Sequence, residues 1–123
     1  EEFNKNLHSK GEYEKWEDKF LAIFEIMKEE QVFVENIYHS VSLEILRKNL
    51  YEMVYPIIYS EIEKQVKEKK LTKQDKAFIA NFYKYAFVSI VLEWIGKGME
   101  EDAEIIVNKV SNLVTGTIVR VCF

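Results

Sequence analysis

Glu35 and His39 stand one helical turn apart, a spacing that sets a carboxylate and an imidazole on one helix face, where the two can ligate a metal. A bundle metal centre needs a second such pair, and the sequence supplies none, so a solvated histidine is the simpler reading. His8 lies in a polar N-terminal stretch and signals nothing. The single cysteine, Cys122, can form neither an intrachain disulfide nor a four-ligand zinc site, and it fits a reducing cytoplasm. No Ser-His-Asp order, phosphate-cradling glycine loop or Cys-His pair can be assembled. The expectation is a protein that binds without catalysing and carries no cofactor or metal.

The remaining chemistry is aromatic. Tyr51, Tyr55 and Tyr59 recur every fourth residue and so line one helical face. Trp16, Phe20 and Phe24 do the same further upstream, and Tyr83 and Phe87 downstream. Together these eight side chains can wall a cavity for a mostly apolar or planar small molecule. The same spacing is also what a plain hydrophobic core gives, with tyrosine hydroxyls left in water at its edge. Lysines crowd the stretch from Lys64 to Lys76, which reads as a solvated helix end more readily than as an anion site.

Helices must position these groups. The chain has 123 residues, of which 48% are hydrophobic, enough for one core, and it holds only four glycines and one proline. Such a shortage of turn formers disfavours hairpins and favours helices joined by short loops. A net charge of −4 argues against direct binding to nucleic acid, which rewards clustered positive charge. No secretory leader opens the sequence, and Glu1 at its start is what a fragment would show. The most apolar run, Tyr85 to Ile95, falls short of a membrane span, and no membrane partner is expected.

Periodicity divides the chain into helices. After a polar tail over 1–12, apolar residues at Trp16, Phe20, Ile23, Phe24 and Met27 mark one amphipathic helix from Tyr13 to Lys28. A second follows a bend near Glu29 and Glu30, with Phe33, Val34, Ile37 and Tyr38 turned inward. A third starts at a Ser42 cap and runs toward Lys70, with Pro56 expected to kink or split it near Tyr55. Thr72 and Asp75 form the signature of a capping box for a fourth helix, apolar nearly all round from Ala77 to Ile95 and closed by Gly96 and Gly98. Asp102 caps the last, whose stripe is Ala103, Val107, Val110, Val114, Thr117 and Val121, with Gly116 allowing close helix approach. The fold class is all-α, a bundle of five or six helices spanning 1–123 as a single domain.

The fourth and fifth helices carry a resemblance. Phe82, Trp94, Gly98 and Met99 fall on the pattern "F-x-x-x-G-x-x-x-x-x-x-x-W-x-x-x-G-M" that leads into an acidic turn and a final amphipathic helix. In this the chain resembles the C-terminal domain of TetR-family transcriptional regulators over roughly Tyr13 to Ile118, although Ala86 stands where the family often has glycine. The resemblance implies a bacterial effector-binding domain that pairs through its last two helices as a four-helix homodimer. DNA would be read by an N-terminal helix-turn-helix that has no counterpart in these residues. Two adjoining apolar helices exceed what a monomer leaves wet, so Val91, Trp94, Ile106, Val110, Leu113 and Thr117 are the expected seam, with burial in the domain's own core as the alternative. A helical docking module for another protein, with no small ligand, is the second functional reading.

Overall fold

In a computed structural model, residues 15–66 and 71–122 are described, with side chains as far as Val114. Five helices make up these residues: α1 (Trp16–Glu29), α2 (Gln31–Tyr38), α3 (Leu43–Gln65), α4 (Lys73–Gly96) and α5 (Ala103–Cys122). The polar tail over 1–12, and the side chains of Gly116, Thr117, Val121 and Cys122, lie outside the described set.

α1 is the hub. Phe20, Ile23, Phe24, Ile26 and Met27 are fully enclosed, so apolar side chains cover more of its circumference than a single stripe. α3 packs against one of its sides and α5 against another, while α3 and α4 run antiparallel, Tyr51 meeting Tyr85 and Glu63 meeting Lys76, in the most extensive contact among the described residues. The inner face of α3 supplies Leu46, Leu50, Met53, Val54, Ile57, Ile58 and Ile62, and that of α4 supplies Ala80, Tyr83, Phe87, Val88, Val91 and Ile95. α5 closes the core with Val107, Val110 and Val114 and is tied to α1 by the Ser111 hydroxyl, which donates to Glu17 Oε2 at 2.7 Å.

The helix ends follow local chemistry. At the start of α4, Asp75 N donates to Thr72 Oγ1 at 3.0 Å and Thr72 N donates to Asp75 Oδ2 at 3.4 Å, the reciprocal box expected from those residues. Asp102 Oδ1 accepts from Glu104 N at 2.9 Å at the start of α5. Ser42 does occupy the N-cap position of α3 but makes no side-chain cap bond. Ser40 organises that turn instead: its hydroxyl donates to Ile37 O at 2.8 Å and accepts from Ser42 N at 2.9 Å.

Three expectations change. α3 runs unbroken through Pro56. Pro56 and Glu52 both lie on the exposed side, where water can take the carbonyl that the ring leaves without a donor. Phe33 points outward, because the inward stripe of α2 is centred on Val34 and Tyr38 rather than on its flank. Gly96 does not adopt the left-handed conformation; Gly98 does, at φ 84°. Gly96 instead makes room for a side chain: a β-carbon there would run into the hydroxyl of Tyr38 and stand 2.9 Å from its Cζ.

α4 has two characters. Its inner face seals the core, whereas Phe78, Phe82 and Tyr85 sit in solvent along the opposite side. Its 24 residues are long and apolar enough by length and composition to cross a membrane, counting beyond the shorter run noted in the sequence, and 44% of the apolar window is packed inside the protein.

Candidate functional site

The aromatic residues singled out from spacing separate into two groups. Trp16, Phe20, Phe24, Tyr83 and Phe87 meet in the interior as a relay of rings. Centroids lie 5.6 Å apart for Trp16 and Phe87, 4.7 Å for Phe20 and Phe87, 5.1 Å for Phe20 and Phe24, and 6.4 Å for Tyr83 and Phe87. Phe24 passes the relay to Trp94 in an edge contact at 4.9 Å. These are the separations of directly packed rings. The gap bordered by Trp16, Ile58, Glu61, Tyr83 and Phe87 is about 10 Å³, room for about one water at most.

Tyr51, Tyr55 and Tyr59 do share one face of α3, but it is the half-buried outer seam with α4. Tyr51 meets Tyr85 at 5.5 Å edge to face, and Tyr55 meets Tyr59 at 5.8 Å. The ammonium of Lys84 stands 4.7 Å from the Tyr51 ring centre and 4.5 Å from that of Tyr85, a cation held over two π-faces. Beside them Arg47 donates to Glu44 Oε1 at 3.1 Å, and this bond holds the guanidinium pKa above its ordinary value.

A larger hollow lies elsewhere, where α1 meets the turn between α4 and α5. It encloses about 480 Å³ and is lined by Phe24, Glu25, Lys28, Glu29, Trp94, Met99, Glu100, Glu101, Asp102 and Ala103. The turn is built by the pattern noted in the sequence. Met99 N donates to Trp94 O at 2.9 Å and Gly98 N to Ile95 O at 3.0 Å, the two bonds of a Schellman motif with Gly98 in the left-handed position. Met99 follows at φ 57° with its side chain buried. Trp94 Nε1 donates to Glu101 O at 2.8 Å, Lys28 Nζ to Met99 O at 2.9 Å and Gln31 Nε2 to Gly98 O at 3.1 Å. Trp94, Gly98 and Met99 are thus three parts of one structural device. Of the hollow's lining only Phe24 was among the candidate ligand residues, because a pocket formed by a turn and a distant helix end leaves no periodic trace.

The seam residues are also divided. Val91, Trp94, Ile106 and Val110 are all buried within the protomer, while Leu113 is 74% exposed. Ile106 and Val110 nonetheless border, with Ile90, Glu93, Trp94, Lys97, Glu101, Lys109 and Leu113, a groove of about 250 Å³ between α4 and α5. Phe78, Phe82 and Tyr85 continue the apolar surface along α4, exposed by 75%, 64% and 53%. Sequence reasoning missed these three because α4 is apolar on all sides, so no polar stripe marks which side is wet.

Among the described residues, Phe78, Phe82 and Tyr85 leave an apolar face of α4 uncovered. Comparison with known families goes further: a family described as the transcriptional regulator C-terminal region, of TetR type, matches residues 14–116. The chain belongs to that family. No curated protein and no solved structure matches it.

Proposed function

We propose that this domain is the effector-responsive homodimerisation unit of a cytoplasmic TetR-type regulator, with DNA reading delegated to an N-terminal helix-turn-helix. The observation that carries the proposal is the outer side of α4. Three large aromatic residues, Phe78, Phe82 and Tyr85, are spaced at four and three residues and all exposed, and further along the same helix a groove against α5 holds Ile90 and Leu113. Scattered apolar residues on a surface need no explanation, but three large aromatic residues aligned on one helix face do. A two-fold axis near α4 and α5 would cover stripe and groove together and keep water from both. Family membership supports the regulator part of this reading, since the matched family is a regulator's C-terminal region.

The seam in this reading consists of Phe78, Phe82, Tyr85, Ile90 and Leu113 at the contact, with Ile106 and Val110 beneath it and Val91 and Trp94 as the core that stiffens it. Sedimentation velocity over a concentration series tests it. The purified chain should run as a dimer at micromolar concentration, and Phe82→Glu should weaken association at least about 100-fold, because a carboxylate in an apolar seam is desolvated without a partner. Its circular dichroism should be unchanged, since Phe82 is exposed in the protomer. A chain that stays monomeric at hundreds of micromolar, or a Phe82→Glu dimer of native affinity, would remove this reading.

A further inference from the structure

The two ends of the proposed seam differ in kind. Along the first half of α4 the exposed side chains are aromatic, Phe78, Phe82 and Tyr85. Toward its C-terminal end, where the groove runs against α5, most of the large apolar residues are out of reach. Trp94, Ile106 and Val110 are buried there, and Ile90 and Leu113 supply what apolar surface remains. A visitor to the groove meets charge instead. Glu93 and Lys97 at the end of α4, Glu101 in the turn and Lys109 on α5 border it, all four exposed and two of each sign. We propose that these four charges form a self-complementary pattern that makes association selective for a second copy of this chain; the proposal rests on the seam reading above.

The charge distribution favours a second copy over any other partner. The chain carries −4 overall, and the hollow beside the α4–α5 turn is bordered by Glu25, Glu29, Glu100, Glu101 and Asp102 against Lys28 alone. Two such molecules repel at long range, and the groove, with no excess of either sign on its border, is where that repulsion is least. Its charges are also available. Lys97 lies 3.4 Å from Glu93, but both side chains are more than two-thirds exposed, so the pair exchanges readily. Lys109 and Glu101 enter no ion pair among the described residues, which leaves one cation and one anion for a partner. The backbone of Glu101 is fixed by the Trp94 indole, which donates to its carbonyl at 2.8 Å, so its carboxylate projects from a set point. A partner of one sign would gain two attractions here and suffer two repulsions. A copy related by a two-fold axis carries the same two acids and two lysines, and every favourable contact is then made twice. Charges at the edge of an interface act more on the choice of partner than on affinity. The aromatic stripe thus supplies the burial, and the groove supplies the selectivity.

Two variants reverse the pattern one sign at a time. Lys97→Glu with Lys109→Glu makes the border wholly acidic, and Glu93→Lys with Glu101→Lys makes it wholly basic. All four positions are exposed, so both chains should keep native circular dichroism. In sedimentation velocity at about 0.05 M salt, each variant alone should self-associate at least about 30-fold more weakly than the native chain. Mixed, the two should form a one-to-one dimer within about fivefold of native affinity, identified by native mass spectrometry with one variant ¹⁵N-labelled. Raising salt to about 0.5 M should strengthen each variant's self-association and weaken the mixed dimer, opposite trends that a structural effect of the substitutions would not produce. Should a reversed chain lose helical signal, Lys109→Glu and Glu101→Lys as single changes carry the same test, with effects of about fivefold. The proposal is overturned if either variant pairs with itself as tightly as the native chain, if the mixture yields no mixed dimer, or if salt moves all three associations alike. A native chain that stays monomeric removes the seam and the pattern with it, whereas a native dimer whose reversed variants still self-pair removes the pattern alone.

Discussion

Gly96→Ala offers the sharpest check on how α2 is seated. Gly96 ends α4, and its φ lies outside the left-handed region, so alanine meets no backbone objection. On helix propensity the change would even be favourable, by at most about 1 kcal/mol and less at a terminal position. Packing points the other way. The new methyl would collide with the Tyr38 hydroxyl and lie 2.9 Å from Cζ and 3.4 Å from Cε1, so the ring must leave. Tyr38 is half-buried, packed against the core and 5.0 Å from the His39 ring, and displacing it forfeits that burial. Overpacking of this kind costs about 1–3 kcal/mol, so the net expectation is a loss of about 1 kcal/mol, or a few degrees in Tm for a domain of this size. Urea denaturation of Gly96→Ala, Tyr38→Ala and the double variant completes the cycle. Removing the ring should cost less in the alanine background, with a coupling of about 1 kcal/mol. Gly96→Ala as stable as the native chain, or two single effects that simply add, would refute the close approach of Tyr38 to Gly96.

Further changes probe other joints. Gly98→Ala meets no clash, its nearest neighbour being Glu100 Cγ at an ordinary contact distance of 3.7 Å, yet should lose about 1–2 kcal/mol by thermal melting because the residue is held at φ 84°; Gly98→Asn should lose less. Thr72→Ala removes the oxygen that accepts from Asp75 N and should cost about 1 kcal/mol in chemical denaturation. Pro56→Ala should raise stability by about 1 kcal/mol or more at unchanged helical circular dichroism, since α3 is already continuous and gains a backbone donor; a fall in stability would contradict that continuity.

The helices were legible wherever two faces differed in polarity. α1 and α5 alternate apolar and charged residues at helical spacing, and the caps at Thr72 and Asp102 are local signals that a few residues specify. α4 was legible as a helix but not in orientation: Phe82 and Phe87 look equivalent in sequence, and only packing makes one solvent-facing and the other core. The same limit governs the aromatic residues. Spacing placed Trp16, Phe20 and Phe24 on one side of α1, but whether rings opposite each other touch or part depends on interhelical distance, which no single helix encodes. The acid-rimmed hollow is still less legible, because it joins Glu25 and Glu29 to Glu100, Glu101 and Asp102 across some seventy residues of chain. Trp94, Gly98 and Met99 were visible as a pattern, and the hydrogen bonds of the turn supply its physical reason.

The position of α5 bears on how the protein is made. It returns across the first helix, with Ser111 bonded to Glu17 and Val107, Val110 and Val114 pressed into the shared core. On the ribosome, α1 therefore emerges some eighty residues before the segment that will cover it, and its greasy side must wait, sheltered by α3 or a chaperone, until α5 has been synthesised. Truncations within the final helix would then be expected to yield insoluble product rather than a smaller working domain.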